Sequence, residues 1–168
     1  MKNQGASCLL ARNLIEKIIS GGQTGADRAA LDWALEHKVP HGGWCPKGRR
    51  AEDGTISGRY HLRETPSANS RQRTEWNVRD SDATIIFSIS PNLRGGSQLT
   101  LEACIQYRKP VLRIWRQGTV AAAGEKVRRF VGQHAARTLN IAGPRRSESS
   151  QIGTFVREVL DCAFGRTR

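Results

Sequence analysis

Aromatic residues make up only 6% of this 168-residue sequence, and its 27 lysines and arginines nowhere gather into a tight block. Nucleic-acid interfaces draw on both features, so their scarcity leaves nucleic-acid binding an alternative rather than the first expectation. Long apolar runs are missing too: nothing approaches the roughly 18 residues of a membrane span, and no membrane partner is expected. The four cysteines, Cys8, Cys45, Cys104 and Cys162, are separated by 36, 58 and 57 residues, with no CxxC or Cys/His pair at metal-ligand spacing. That predicts free, mostly buried thiols and no directly ligated metal. The opening MKNQGASCLLARNL carries too short an apolar stretch for a secretory signal, which predicts a flexible leader over 1–13 and a cytoplasmic protein.

What is present is positive charge and a regular alternation of elements. The formal charge is +12, divided as +4 over residues 1–50, +2 over 51–115 and +6 over 116–168. Such a balance favours anionic partners, from phosphate esters to nucleic acid, and says nothing of fold. A length of 168 residues suits one domain, here 14–168.

Short β-branched runs alternate with amphipathic stretches. LIEKIIS (14–20) reads as a strand, 24–38 as a helix, 39–45 as a second short strand, and 46–60 as a long polar loop. A polar helix follows over 70–80. ATIIFSI (83–89) is a continuous apolar run of the kind buried on both faces of a parallel sheet. A helix at 98–107, strand at 110–115, helix at 120–134, strand at 138–142 and helix at 152–164 complete the pattern. The alternation predicts an α/β fold: a single Rossmann-like three-layer domain with a mostly parallel sheet and helices on both faces.

Two glycine loops stand between a strand and a helix. In the first, Gly21, Gly22 and Gly25 can let backbone N–H groups approach an anion, while Thr24, Asp27 and Arg28 supply side-chain groups. Asp27 would contact a ribose or ring donor, or cap locally. The second holds Gly95, Gly96, Ser97 and Thr100, whose hydroxyls can cap the helix or bind the anion. If the two strands are neighbours, both helix N-termini face one crevice. Between the loops, Lys47 and Arg49, with Arg50, Glu52 and Asp53 beside them, form a basic flap or a solvated loop of local pairs. Arg73, Thr74 and Asn77 lie on the polar helix, with Arg73 and Asn77 four residues apart on one face.

The segments IISGGQTGADRAALDWAL, GWCPKGRRAEDG, RTEWNVRDSDATIIF and RGGSQLTLEACIQYRKPVL together resemble the putative molybdenum carrier family. That family is a branch of the Rossmann-like SLOG superfamily, which also holds the lysine-decarboxylase-like phosphoribohydrolases. The resemblance covers about residues 14–115 and implies binding of a small phosphorylated ligand, a nucleotide or a pterin of the molybdenum cofactor type. It also implies a homo-oligomer, dimer or tetramer. The phosphoribohydrolases use a PGGxGTxxE loop, onto which Gly95, Gly96 and Glu102 fall, while Gln98 and Leu99 replace Gly and Thr. An enzyme of this kind, cleaving an N-glycosidic bond with Glu102 and Arg73 as catalytic groups, is therefore one alternative reading. Nucleic-acid binding is the other, since SLOG folds also occur in DNA-uptake machinery.

Overall fold

A computed structural model describes residues 14–165, so the expected leader over 1–13 lies outside the described residues. In chain order the elements begin with β1 (Lys17–Ile19), α1 (Ala26–Glu36), β2 (His41–Gly42), β3 (Trp44–Cys45), β4 (Arg50–Ala51), β5 (Gly54–Thr55) and β6 (Arg63–Glu64). They continue with α2 (Ser70–Arg79), β7 (Ala83–Ser88), α3 (Gly95–Gln106), β8 (Val111–Trp115), α4 (Val120–Gln133), β9 (Thr138–Ala142) and α5 (Ile152–Phe164).

Five of the strands form one parallel sheet in the order β2–β1–β9–β7–β8. The expected run 39–45 divides at Gly43: β2 pairs with β1, and β3 turns away to pair with β6. The long polar loop contains a small antiparallel hairpin, β4 with β5. Every residue of β7 is buried, as its unbroken apolar run requires of a strand covered on both faces.

The alternation along β7 shows how the layers divide. Ala83, Ile85 and Phe87 join the core formed with α1, α4 and α5. Thr84, one residue out of phase, faces the other way, where it bonds Asn140 and meets Cys104 of α3. There α2 and α3 pack on each other around Val78, Ala103 and Cys104. Phe87 is fully buried and meets Phe155 edge-on at 5.9 Å; truncating such a ring costs about 3–5 kcal/mol. Cys45 and Cys104 are buried and Cys162 is exposed, all three as free thiols.

Numbered from β9 onward instead of from the N-terminus, the sheet order becomes 3-2-1-4-5, that of the first five strands of the doubly wound dinucleotide-binding sheet. The strand that would open such a sheet thus comes last in this chain. No helix among the described residues is long and apolar enough to cross a membrane.

Candidate functional site

In open parallel sheets, ligands sit beyond the carboxyl ends of the strands at the point where the strand order reverses. Here that point lies between β9 and β7. The strands carrying the two glycine loops are not neighbours, because β9 runs between β1 and β7. The condition for a crevice shared by those two loops alone is not met: residues 143–149, following β9, stand between them. Ala26 N–H donates to Pro144 O at 3.2 Å, and a Cβ on Gly25 would come within 2.5 Å of that oxygen, so Gly25 lets the loops meet.

Three neighbouring spaces result. The first, about 280 Å³, opens over Gly21 and is lined by Gln23, Arg50, Glu52, Arg73 and Arg145. The second, about 630 Å³, lies at the switch point against Ser88, Asn92, Arg94, Ser97, Pro144 and Glu148. A neck of about 40 Å³ shares Arg73 and Arg145 with the first and Ser97 and Glu148 with the second. Together they make one bent crevice.

Arg73 reaches from α2 across to α1, where its Nη1 donates to Asp27 Oδ2 at 2.9 Å. A Cβ on Gly21 would lie 1.7 Å from that Nη1, so only glycine leaves room for the guanidinium. Burial pushes the Asp27 carboxyl above its ordinary range, more than the charge and hydrogen bond of Arg73 draw it down. Arg73 Nε is buried and has no hydrogen-bond partner among the described residues. The guanidinium groups of Arg50 and Arg145, facing the same space, make no ion pair or hydrogen bond with described residues.

Other expected site residues have work elsewhere. Arg28 donates to Gly22 O at 3.0 and 3.2 Å and forks onto Asp53, whose carboxyl that bond holds below its ordinary range. Arg49 donates to the carbonyls of Ile56, Ser57, Tyr60 and Leu62 at 2.9–3.1 Å. It fastens the loop rather than facing the crevice. Asn77 is buried and brackets Trp44, accepting from its N–H at 2.8 Å and donating to its oxygen at 2.9 Å. Thr24 donates to Glu52 and accepts from Arg146 N–H at 3.1 Å. Glu52 also accepts from Ser147, and these bonds, that from the Ser147 hydroxyl first, hold its carboxyl below the ordinary range.

Thr74, Gly96, Ser97 and Thr100 do line the neck, although the Thr74 and Thr100 hydroxyls each donate to the carbonyl four residues back. Lys47 is exposed and lines none of these spaces. Glu102 sits on the exposed side of α3, bonded to Gln98 at 3.2 Å, also outside them. The carboxylate that lies near Gly95 is instead Glu148, whose Oε1 would be 3.6 Å from a Cβ on that glycine. Sequence reasoning passed over Arg145 and Glu148, although GPRRSE repeats the strand, glycine and helix pattern of the other two loops. No group of three or more His, Cys, Asp or Glu side chains that could hold a metal occurs among the described residues.

A family model described as the circularly permutated YpsA SLOG family matches residues 18–164. A crystal structure described as a putative molybdenum carrier protein from Syntrophus aciditrophicus SB is 45% identical, with a TM-score of 0.88, over 90% of this chain and 96% of that one. No curated protein matches. The match runs through Arg145 and Glu148 as well as the glycine loops, and the strand order that begins at β9 is the one a permuted fold produces. The chain belongs to the circularly permutated YpsA family of the SLOG superfamily.

Proposed function

We propose that this protein binds a small phosphorylated ligand, nucleotide-like or a pterin of the molybdenum cofactor type, in the crevice above β1, β9 and β7, and serves as its carrier. The carrier role rests on the likeness to the Syntrophus protein. The binding role rests on one observation: Arg73, with an unpartnered buried Nε and a glycine that leaves its guanidinium room, lines one space with Arg50 and Arg145, neither of them paired among the described residues. Guanidinium groups make short, often bidentate bonds with phosphate, so three around one space favour a phosphoryl end.

Gly21 and Gln23 contribute the floor, and Thr74, Gly96, Ser97 and Thr100 the neck through which the ligand continues. Gly22, Thr24, Gly25, Asp27, Arg28, Arg49 and Asn77 act indirectly, by holding loops and Arg73 in place. These residues suit a phosphate and an attached ring. A metal carried on such a ligand would be held by the ligand. Removal of Arg50 and Arg145 tests the assignment. Native mass spectrometry of the protein taken from cells should show a retained phosphorylated small molecule, absent from Arg50→Ala/Arg145→Ala. Equal retention by that variant would overturn the site.

A further inference from the structure

The two ends of the crevice differ in charge, and the difference says what each end accepts. Around the smaller space stand Arg50, Arg73 and Arg145 against Glu52, whose carboxylate is already bonded to Thr24 and Ser147. Around the larger space stand one cation, Arg94, and one carboxylate, Glu148. The phosphoryl group therefore belongs at the first end.

Glu148 is placed so that it keeps a free acceptor. Its Oε2 accepts from Arg145 N–H at 3.1 Å, while Oε1 lies beside Gly95 at the start of α3. A carboxylate there already answers the positive end of that helix and repels a second anion. It can instead accept hydrogen bonds from adjacent ring N–H groups, since an ionised carboxylate is acceptor-only, with Oε1 open and a further lone pair on Oε2. Arg145 and Glu148 thus stand three residues apart in one loop and both line the neck, Arg145 reaching also the first space and Glu148 the larger one.

We infer that Glu148 is the specificity-determining residue of the proposed site, and that the ligand's ring carries a 2-amino-4-oxopyrimidine edge, with its neighbouring N–H and NH₂ donors. This rests on the phosphorylated-ligand reading above. Guanine and the pterins share that edge. Adenine presents an acceptor nitrogen in place of the ring N–H, and that nitrogen would face the Glu148 carboxylate. A site built to accept from donors discriminates strongly against an analogue that lacks them.

Calorimetric titration of the whole chain with GMP, IMP, AMP and neopterin monophosphate tests the inference. GMP or neopterin monophosphate, or both, should bind at least about tenfold more tightly than AMP, the loss expected when a charge-assisted bond is replaced by an acceptor facing a carboxylate. The tighter of the two identifies the source of the edge. IMP, which keeps the ring N–H but lacks the amino group, should fall between GMP and AMP if GMP is the tighter ligand. Glu148→Gln keeps an acceptor for Arg145 N–H, so its thermal midpoint should be unchanged, while the preference over AMP shrinks to about threefold or less. AMP binding as tightly as both other ligands, or a preference that survives in Glu148→Gln, would overturn the role of Glu148 and leave the phosphate site standing. Binding of none of the four would overturn both.

Discussion

Arg73 on α2 and Asp27 on α1 form a 2.9 Å ion pair at the neck of the crevice, with the aspartate almost wholly buried and the arginine nearly so. Removing the cation leaves a carboxylate in a dry setting, and Arg73→Met should cost about 3–5 kcal/mol at neutral pH. The pH dependence has a definite sign. Asp27 titrates above its ordinary value of 3.8 in the folded chain, so folding binds its proton more tightly; its contribution to stability falls as pH rises from 3.8 to the folded value and is level above it. Without Arg73 the folded value rises further. Urea unfolding across a pH series should show the variant recovering part of its loss on acidification below neutrality, whereas a loss constant in pH would assign the pair no such coupling.

Arg49 carries four hydrogen bonds to carbonyls of residues 56–62 and no carboxylate. Its substitution should register as stability rather than as affinity. Arg49→Ala should lower stability by about 2–3 kcal/mol, and Arg49→Lys should recover little, because an ammonium cannot reproduce the planar fork. Thermal unfolding and ligand titration of the two variants separate these effects.

Glu52 joins the β4–β5 hairpin to the loop after β9 through Ser147 and Thr24. Its depressed carboxyl contributes stability that is present above the ordinary value of 4.5 and is lost as pH falls through the lowered value. In Glu52→Ala the amides of Arg50 to Thr55 and of Ser147 should exchange hydrogen faster at neutral pH. The wild type should approach the same rates, corrected for intrinsic exchange, only in acid.

The paired glycines Gly21 and Gly22 give opposite experiments. A side chain at Gly22 would be strained at φ +79° and would meet Leu62 at 2.6 Å, so Gly22→Val damages packing as well as any site. At Gly21 the nearest atoms belong to the far end of Arg73 and to Asp27. Gly21→Ala should displace the guanidinium, weakening ligand binding by about tenfold or more, and, because the same shift separates Arg73 from Asp27, its stability should fall toward that of Arg73→Met. Unchanged ligand binding in Gly21→Ala would contradict this reading.

Much of the fold was legible in the chain. Apolar patterning placed β7, β8, β9 and four of the helices within a few residues, because those segments bury one face or both and must show it, while α2 reads as a polar helix over 70–80. Strand order was not legible: no local pattern says that β9 inserts between β1 and β7, since that depends on pairings more than 50 residues apart along the chain. The site divides in the same way. Arg73, Ser97, Gly21 and Gly96 line the crevice, whereas Gly22, Gly25 and Gly95 do not. Arg49 and Asn77 are spent on distant backbone groups, which sequence spacing cannot show. Glu102 sits at a motif position yet faces outward, while Glu148 reaches the crevice from a third loop with the strand, glycine and helix pattern of the other two.

Phosphate binding by Arg50, Arg73 and Arg145 is measured by calorimetry of GMP and neopterin monophosphate, each beside its dephosphorylated form. Loss of the phosphoryl group should weaken the tighter ligand by at least about thirtyfold, and most of that difference should vanish in Arg50→Ala/Arg145→Ala. Equal affinities for the phosphorylated and dephosphorylated forms in the wild type would contradict the account.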